Sequence, residues 1–298
     1  MRIDLMGPLV ALLAQSALAG AAALLAHRAK SAALVLGAAV FLGAPWLAGP
    51  NALVRALCAL VGGVALLRVV DLVRSREPWS AWRRVLHVVS FVDSRALRRA
   101  PPHLDVLALG RALLWAALAV IGFYVARSPG LVSRWGGGLV FAYAVVDAGY
   151  ALTGAAYRAL GFVAPRLHVW PLASLSVGEL WGVRWARPVS AWLRETCFRP
   201  LARRGHPMLG LLLGFVASGV GHAYPMFVAI DGSMAAMMFA FFLVQGFVVI
   251  VEVRLGVIRW SRPARRAWTV TIMVASSPLF VEPALRVLGV GGATLTSG

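Results

Sequence analysis

His222 is the side chain whose type and place could do chemistry. Of the six histidines, His27, His87, His103, His168 and His206 fall in loops or at the ends of apolar runs, and His222 alone lies deep inside one. Counted from the entry of that run near His206, it is about 15 residues in, or roughly 22 Å at 1.5 Å per residue. An ionisable side chain at such depth faces protein or a wet cavity rather than lipid. A neutral imidazole there can take a proton from a hydroxyl, pass protons along a relay, or simply hydrogen-bond a neighbouring helix. Gly214, Ser218 and Gly221 place small residues at helical spacing around it, which predicts close approach of another helix. Pro225 loosens the backbone one turn later. Asp147 is the one acid near the middle of an apolar run, about 10 residues or about 15 Å from its end. The two depths differ by about 7 Å, so contact is open. Asp147 also reads as a structural partner for a Tyr or Arg, and a proton-coupled transporter would use the same His and Asp.

The elements that position these residues must lie in a membrane. The chain has 298 residues, 60% hydrophobic and 13% charged, with mean hydropathy +0.81. Ordinary soluble domains are about 45–50% apolar and about 25% charged. That difference excludes a soluble or disordered chain, and the unbroken apolar runs exclude the alternating pattern of a membrane barrel. The expected fold is all-α: a polytopic transmembrane helical bundle. Eight runs are long enough to span: 5–26, 32–48, 52–73, 105–126, 137–157, 207–229, 234–254 and 268–288. The first resembles a signal peptide at Ala17-Leu18-Ala19, but its apolar run continues to Ala26, so it is expected to remain as a span. Cys58 lies in a run and Cys197 in a loop, which suggests no disulfide framework. No CxxC or His/Cys cluster has metal-ligand spacing.

The net charge of +18 reflects membrane topology rather than nucleic acid. Of the 29 basic residues, 22 fall in alternate loops and only Arg2, Arg127 and Arg134 fall in the opposite set; Arg55, Arg68, Arg111 and Arg286 lie within runs. The alternation supports eight spans, with the Arg-rich loops cytoplasmic and both termini outside. Most of these arginines are expected to meet anionic lipid heads, and some an anionic cytosolic cosubstrate. The use of Arg over Lys, with Lys30 the sole lysine, suggests a bacterial chain and hence the inner membrane.

Residues 158–206 form the largest segment between runs and hold Trp170, Trp181, Trp185 and Trp192. Ser176-Val-Gly-Glu179 reads as a capping box that opens a short helix. Trp181 and Trp185 are four apart and would share a face. Pro188 suits the first turn of a second helix, with Val189, Trp192 and Leu193 as its apolar stripe and Arg194, Glu195 and Arg199 facing away. Such helices lie in the membrane interface or dip into it as re-entrant segments. With no chemistry of their own, they would be a pair of Trp-anchored interfacial helices.

The run SLSVGELWGVRWARPVSAWLRETCFRPLARRG, residues 174–205, resembles the wax synthase-like branch of the membrane-bound O-acyltransferases, and so does FVASGVGHAYP, residues 215–225. The resemblance covers about residues 165–230, within a motif-bearing region 158–230 of a single membrane-embedded domain 1–298. Glu179 takes the acidic position of the family pattern, Trp181 and Gly182 its W-G, Arg184 and Trp185 its R-W, and His222 its catalytic histidine. Leu180 replaces the usual Phe, Ala186 stands where many members have Asn or His, and Ala223 replaces an acid that often follows the histidine. The resemblance implies transfer of an acyl chain from acyl-CoA, a cosubstrate, to a lipophilic alcohol, with no bound cofactor or metal. His222 would be the general base. Arg184, Arg187, Arg194 and Arg199 would meet the phosphates. Glu179, Trp181, Trp185, Ser218, Tyr224 and Asp147 would complete the substrate site. The alternatives are a transporter or lipid flippase working through Asp147 and His222, and a catalytically dead, lipid-binding member of the family. The charged loop 158–206 has no counterpart in the first half, so no internal repeat favours transport.

Overall fold

The structure, a computed structural model, describes residues 6–90 and 92–291; Arg2, Leu5 and both chain ends lie outside them. The chain is all-α and polytopic. Among the described residues, seven helices are long and apolar enough to cross a membrane. They are α1 (Met6–Leu25), α2 (Lys30–Leu42) continued by a 3₁₀ turn to Ala48, α3 (Ala52–Arg74), α5 (Val106–Arg127), α6 (Leu131–Ala159), α10 (Pro207–Ala229) and α11 (Gly232–Leu255). An eighth span exists if α12 (Arg262–Ser276) and α13 (Pro278–Val287), bent by 42° at their junction, count as one. The bend has a chemical cause. Pro278 has no amide to continue α12, and Ser277 folds back on Val274 through both its amide, 3.2 Å, and its hydroxyl, 2.8 Å.

Three features depart from the sequence reading. The eighth run is broken rather than continuous. Helix α6 begins at Leu131 instead of 137, so Arg134 belongs to a helix and is buried rather than lying in a loop. A short amphipathic helix, α4 (Ala81–Val89), occupies the loop after the third span.

The described residues fall into two compact units, one within 6–97 together with 221–235 and the other 98–220 with 236–291. The core of the first is largely alanine: Ala19, Ala22, Ala23, Ala26, Ala33 and Ala65 pack with Val40, Val69 and Leu72. Small side chains let helices close without a water-driven hydrophobic force. A Cβ on Gly62 would come within 2.9 Å of the Val40 carbonyl oxygen. Gln15, buried in α1, donates to the Cys58 carbonyl at 2.8 Å. At one end of this unit Arg95 reaches Asp71 at 2.6 Å and Asp93 at 2.7 Å, and Arg68 reaches Asp93 at 3.1 Å. Burial opposes ionisation of Asp93, but its hydrogen bonds from Arg95 and the Arg68 charge outweigh it and hold the carboxyl at about 2. This cluster tethers the segment after α4 to the end of α3.

The second unit is built on the α5–α6 hairpin, which meets backbone to backbone. A Cβ on Gly137 would lie 2.5 Å from the Ala126 amide nitrogen, and one on Gly122 would lie 2.7 Å from that of Phe141. Near the start of α6, buried Arg134 grips Glu282 of α13 through two bonds of 2.7 and 2.9 Å. A two-residue antiparallel ladder pairs β1 (Arg98–Arg99) with β2 (Phe162–Val163), tying the entry of α5 to the exit of α6.

Candidate active site

The motif-bearing segment is held by α11. It opens with a 3₁₀ turn at Pro171–Ala173, then α7 (Val177–Glu179), which passes into a π turn over Leu180–Arg184. Ser176 caps α7 as expected: its hydroxyl accepts the Glu179 amide at 2.9 Å. The return half of the box is displaced by one residue, because Glu179 Oε2 accepts the Leu175 amide at 2.9 Å. The other oxygen, Oε1, accepts Arg184 Nε at 2.6 Å. Burial alone would raise the Glu179 pKa, but the Leu175 and Arg184 hydrogen bonds more than offset it and leave the carboxyl below its usual range.

Sequence reasoning missed the side chains that anchor this segment. Glu252 of α11 is buried and accepts the Val177 amide at 2.7 Å, the Gly178 amide at 2.9 Å and Trp268 Nε1 at 3.0 Å. A carboxylate placed against the first free amides of a helix satisfies orphan donors. Seven residues earlier on α11, fully buried Gln245 accepts Trp181 Nε1 at 3.1 Å and donates to Ser276 Oγ at 2.8 Å. The signal was there in principle. Gln245 and Glu252 are polar residues two turns apart in a run otherwise apolar, but nothing local names their partners.

Trp181 and Trp185 come together, ring centroids 6.4 Å apart, although a π turn rather than an α-helix brings them there. Trp185 stacks on His168 at 4.1 Å and lies 5.7 Å from Tyr143 of α6. Ala186 then adopts left-handed backbone, φ 41°. Its amide donates to His168 Nδ1 at 3.1 Å. Burial lowers the His168 pKa, while the nearby Asp147 charge pulls it the other way. The second helix, α8 (Arg187–Leu193), starts with Pro188 in its first turn as expected and continues through a π turn to α9 (Arg199–Ala202). Trp192 and Leu193 are half-buried and Arg194, Glu195 and Arg199 are exposed, but Val189, expected on the apolar stripe, is exposed as well.

The four expected phosphate-binding arginines do not converge. Arg184 is clasped by Glu179 and also donates to the carbonyls of Val169 and Trp170. Arg194 donates to the Gly182 carbonyl at 2.7 Å. Arg199 pairs with Glu195, and Arg187 is exposed. A different set does converge. Arg184, Arg262 and Arg266 border a cavity of about 530 Å³, together with Ala173, Leu175 and Pro263. Arg262 and Arg266 stand on the first turns of α12, where the helix dipole favours anions.

His222 lies within α10, half-buried. Pro225 is accommodated without interrupting the helix, but it removes the amide that would bond the Gly221 carbonyl. The small residues around His222 act differently from expectation. The close approaches on α10 are at Gly210, against the Phe198 carbonyl, and Gly219, against Phe239, whereas Gly214 and Gly221 face open space. Ser218 is half-buried, four residues before His222. Tyr224 is committed locally: its hydroxyl donates to the Leu42 carbonyl and accepts Trp46 Nε1 at 3.2 Å, and its ring lies 4.7 Å from Phe41. Asp147 is buried in α6, and its hydrogen-bond partner is Tyr143, one turn earlier on the same helix. Among the described residues no group of three His, Cys, Asp or Glu could hold a metal ion.

Fold and segment together define a polytopic α-helical membrane protein with a Trp- and Arg-rich segment anchored to an acid within its seventh spanning helix. No protein-family model matches the chain. It is 33% identical over 129 residues to "Probable long-chain-alcohol O-fatty-acyltransferase 2" of Arabidopsis thaliana, a match covering 39% of this chain and 38% of that protein. The chain therefore aligns with well under half of the relative's length.

Proposed function

We propose that the chain is an acyl-CoA-dependent O-acyltransferase of the wax synthase-like kind, which esterifies a lipophilic alcohol. The observation that carries this reading is the likeness to a long-chain-alcohol O-fatty-acyltransferase. It is supported by an imidazole deep in a span, on a helix with open space at Gly214 and Gly221. Neutral His222 removes the proton of the alcohol hydroxyl as its oxygen attacks the thioester carbonyl. The tetrahedral intermediate collapses, the carbon–sulfur bond breaks, and the CoA thiolate leaves with a proton returned by the imidazolium. A general base of this kind contributes about 10²–10⁴-fold. Protein around the reacting centre keeps water from competing as acceptor.

The cavity bordered by Arg184, Arg262 and Arg266 is our choice for the phosphates of the acyl donor. Guanidinium forks match phosphate oxygens. The Arg-rich loops would then face the cytoplasm, where acyl-CoA is made, and the alcohol would enter sideways from the bilayer. The test is incubation of purified protein with radiolabelled palmitoyl-CoA and a panel of alcohols, comparing parent with His222→Ala. Ester formation by the parent and its loss in the variant, at unchanged expression and melting temperature, is the expected result. Equal turnover removes His222 from the mechanism.

A further inference from the structure

Tyr143, Asp147 and Tyr150 are spaced by four and three residues and therefore share one face of α6. The segment after α6 folds back onto that face. Tyr150 donates to the Pro165 carbonyl at 3.0 Å, its ring lies 6.4 Å from His168, and Trp185 bridges His168 to Tyr143. Two polar atoms in this aromatic enclosure are buried and lack a hydrogen-bond partner among the described residues: Asp147 Oδ2 and His168 Nε2. Asp147 as a whole is only 7% exposed. Buried polar atoms left without a partner are uncommon because each costs desolvation free energy.

The chemistry of the two atoms is complementary. The Ala186 amide donates to His168 Nδ1, so that nitrogen carries a lone pair and the neutral ring bears its proton on Nε2. The backbone accepts a left-handed conformation at Ala186, a non-glycine residue, to present that amide, and strain of this sort is often kept where it positions a functional group. Nε2–H is thus an unused donor and Asp147 Oδ2 an unused acceptor. A neutral group that both accepts and donates answers both, and a hydroxyl is the simplest that ends an apolar chain: its oxygen accepts from His168 and its proton goes to Asp147. A carboxylate or phosphate would meet the aspartate's charge, and a plain hydrocarbon would leave both atoms unanswered. The flat rings of Tyr143, Tyr150 and Trp185 suit an apolar chain behind the hydroxyl.

The geometry points to Asp147 and His168 as a binding site for the hydroxyl of a neutral long-chain alcohol. This deepens the acyltransferase reading by naming where the acceptor is held, and rests on it only for the occupant's identity. The test uses the whole purified protein in detergent and a long-chain primary alcohol carrying a diazirine beside the hydroxyl. After illumination, label is expected on the peptide spanning 143–150. Excess hexadecan-1-ol should compete it away, while hexadecane and palmitate should not. Asp147→Asn and His168→Gln are each expected to lower labelling by roughly tenfold, the loss of one strong hydrogen bond, with melting temperatures near the parent's. If a variant fails to fold, the competition pattern in the parent decides. Competition by all three compounds alike, or label only on peptides that carry none of Tyr143, Asp147, Tyr150, His168 and Trp185, overturns the site. Selective labelling in a protein that transfers no acyl group leaves the site standing and removes the enzymatic reading. Acyl transfer with unselective labelling does the reverse.

Discussion

Glu252 shows how one buried carboxylate can organise a segment far away in sequence. It takes two amides at the start of α7 and the Trp268 indole, and Gln245 fixes Trp181 two turns away. Hydrogen bonds to a charged group are worth about 1.5–3 kcal/mol each, and stranding buried donors costs more than removing a complete pair. Glu252→Ala should therefore destabilise the protein by about 3 kcal/mol or more, whereas Glu252→Gln, which keeps an acceptor, should lose much less. Thermal melting in detergent, with protease cleavage between 174 and 188 as a local readout, measures both. An Ala variant that melts with the parent and stays uncut contradicts the anchoring role. Ser176, Glu179 and Pro188 were legible in the sequence because their signals are local: a cap, an acid three residues on, a proline in a first turn. Glu252, His168 and the Arg262–Arg266 pair were not, because each works through partners 16 or more residues away and looks, in sequence, like an ordinary charge or imidazole at the end of a span or beside one.

At the scale of elements, polar contacts decide where the apolar pattern is silent. Hydropathy located the spans, yet it placed Arg134 in a loop, since an arginine near a boundary reads as topology. Glu282 supplies what the sequence could not show: a half-buried partner that carries buried Arg134 into α6. Removing one member of such a pair costs about 3–5 kcal/mol, while replacing both with apolar residues is often neutral. Arg134→Leu should lower stability by that amount, and Arg134→Leu with Glu282→Leu should recover most of it in chemical or thermal unfolding. Equal stability of the single variant and the parent would sink the argument. The tether at the end of α3 gives a second expectation. Asp93 has a folded-state pKa of about 2, below its ordinary 3.8. Its stabilisation is complete above the ordinary value and is lost as pH falls through about 2. Hydrogen exchange of α4 and the segment that follows it should therefore quicken as pH drops from about 4 to about 2, after correction for the intrinsic rate. Asp93→Asn should abolish that pH dependence; an identical pH response in the variant contradicts it. Helix α4 itself went unread because nine residues among arginines carry too little apolar length to register as a span.

For the whole molecule, composition and the alternation of arginines were enough to state an all-α polytopic fold, and seven spanning helices plus a bent pair bear that out. The break in the last pair depends on Pro278 and the back-bonded Ser277, which a hydropathy window averages away. The proposed function was legible only through two short motifs and a deep histidine, because acyl transfer by general base, as proposed, needs a single imidazole rather than a dense constellation. The acyltransferase proposal therefore turns on one comparison: ester formation from labelled palmitoyl-CoA and a long-chain alcohol by purified parent protein and by His222→Ala. It predicts a fall of at least about 10²-fold in rate, with the melting temperature unchanged. A variant that forms ester at the parental rate contradicts it.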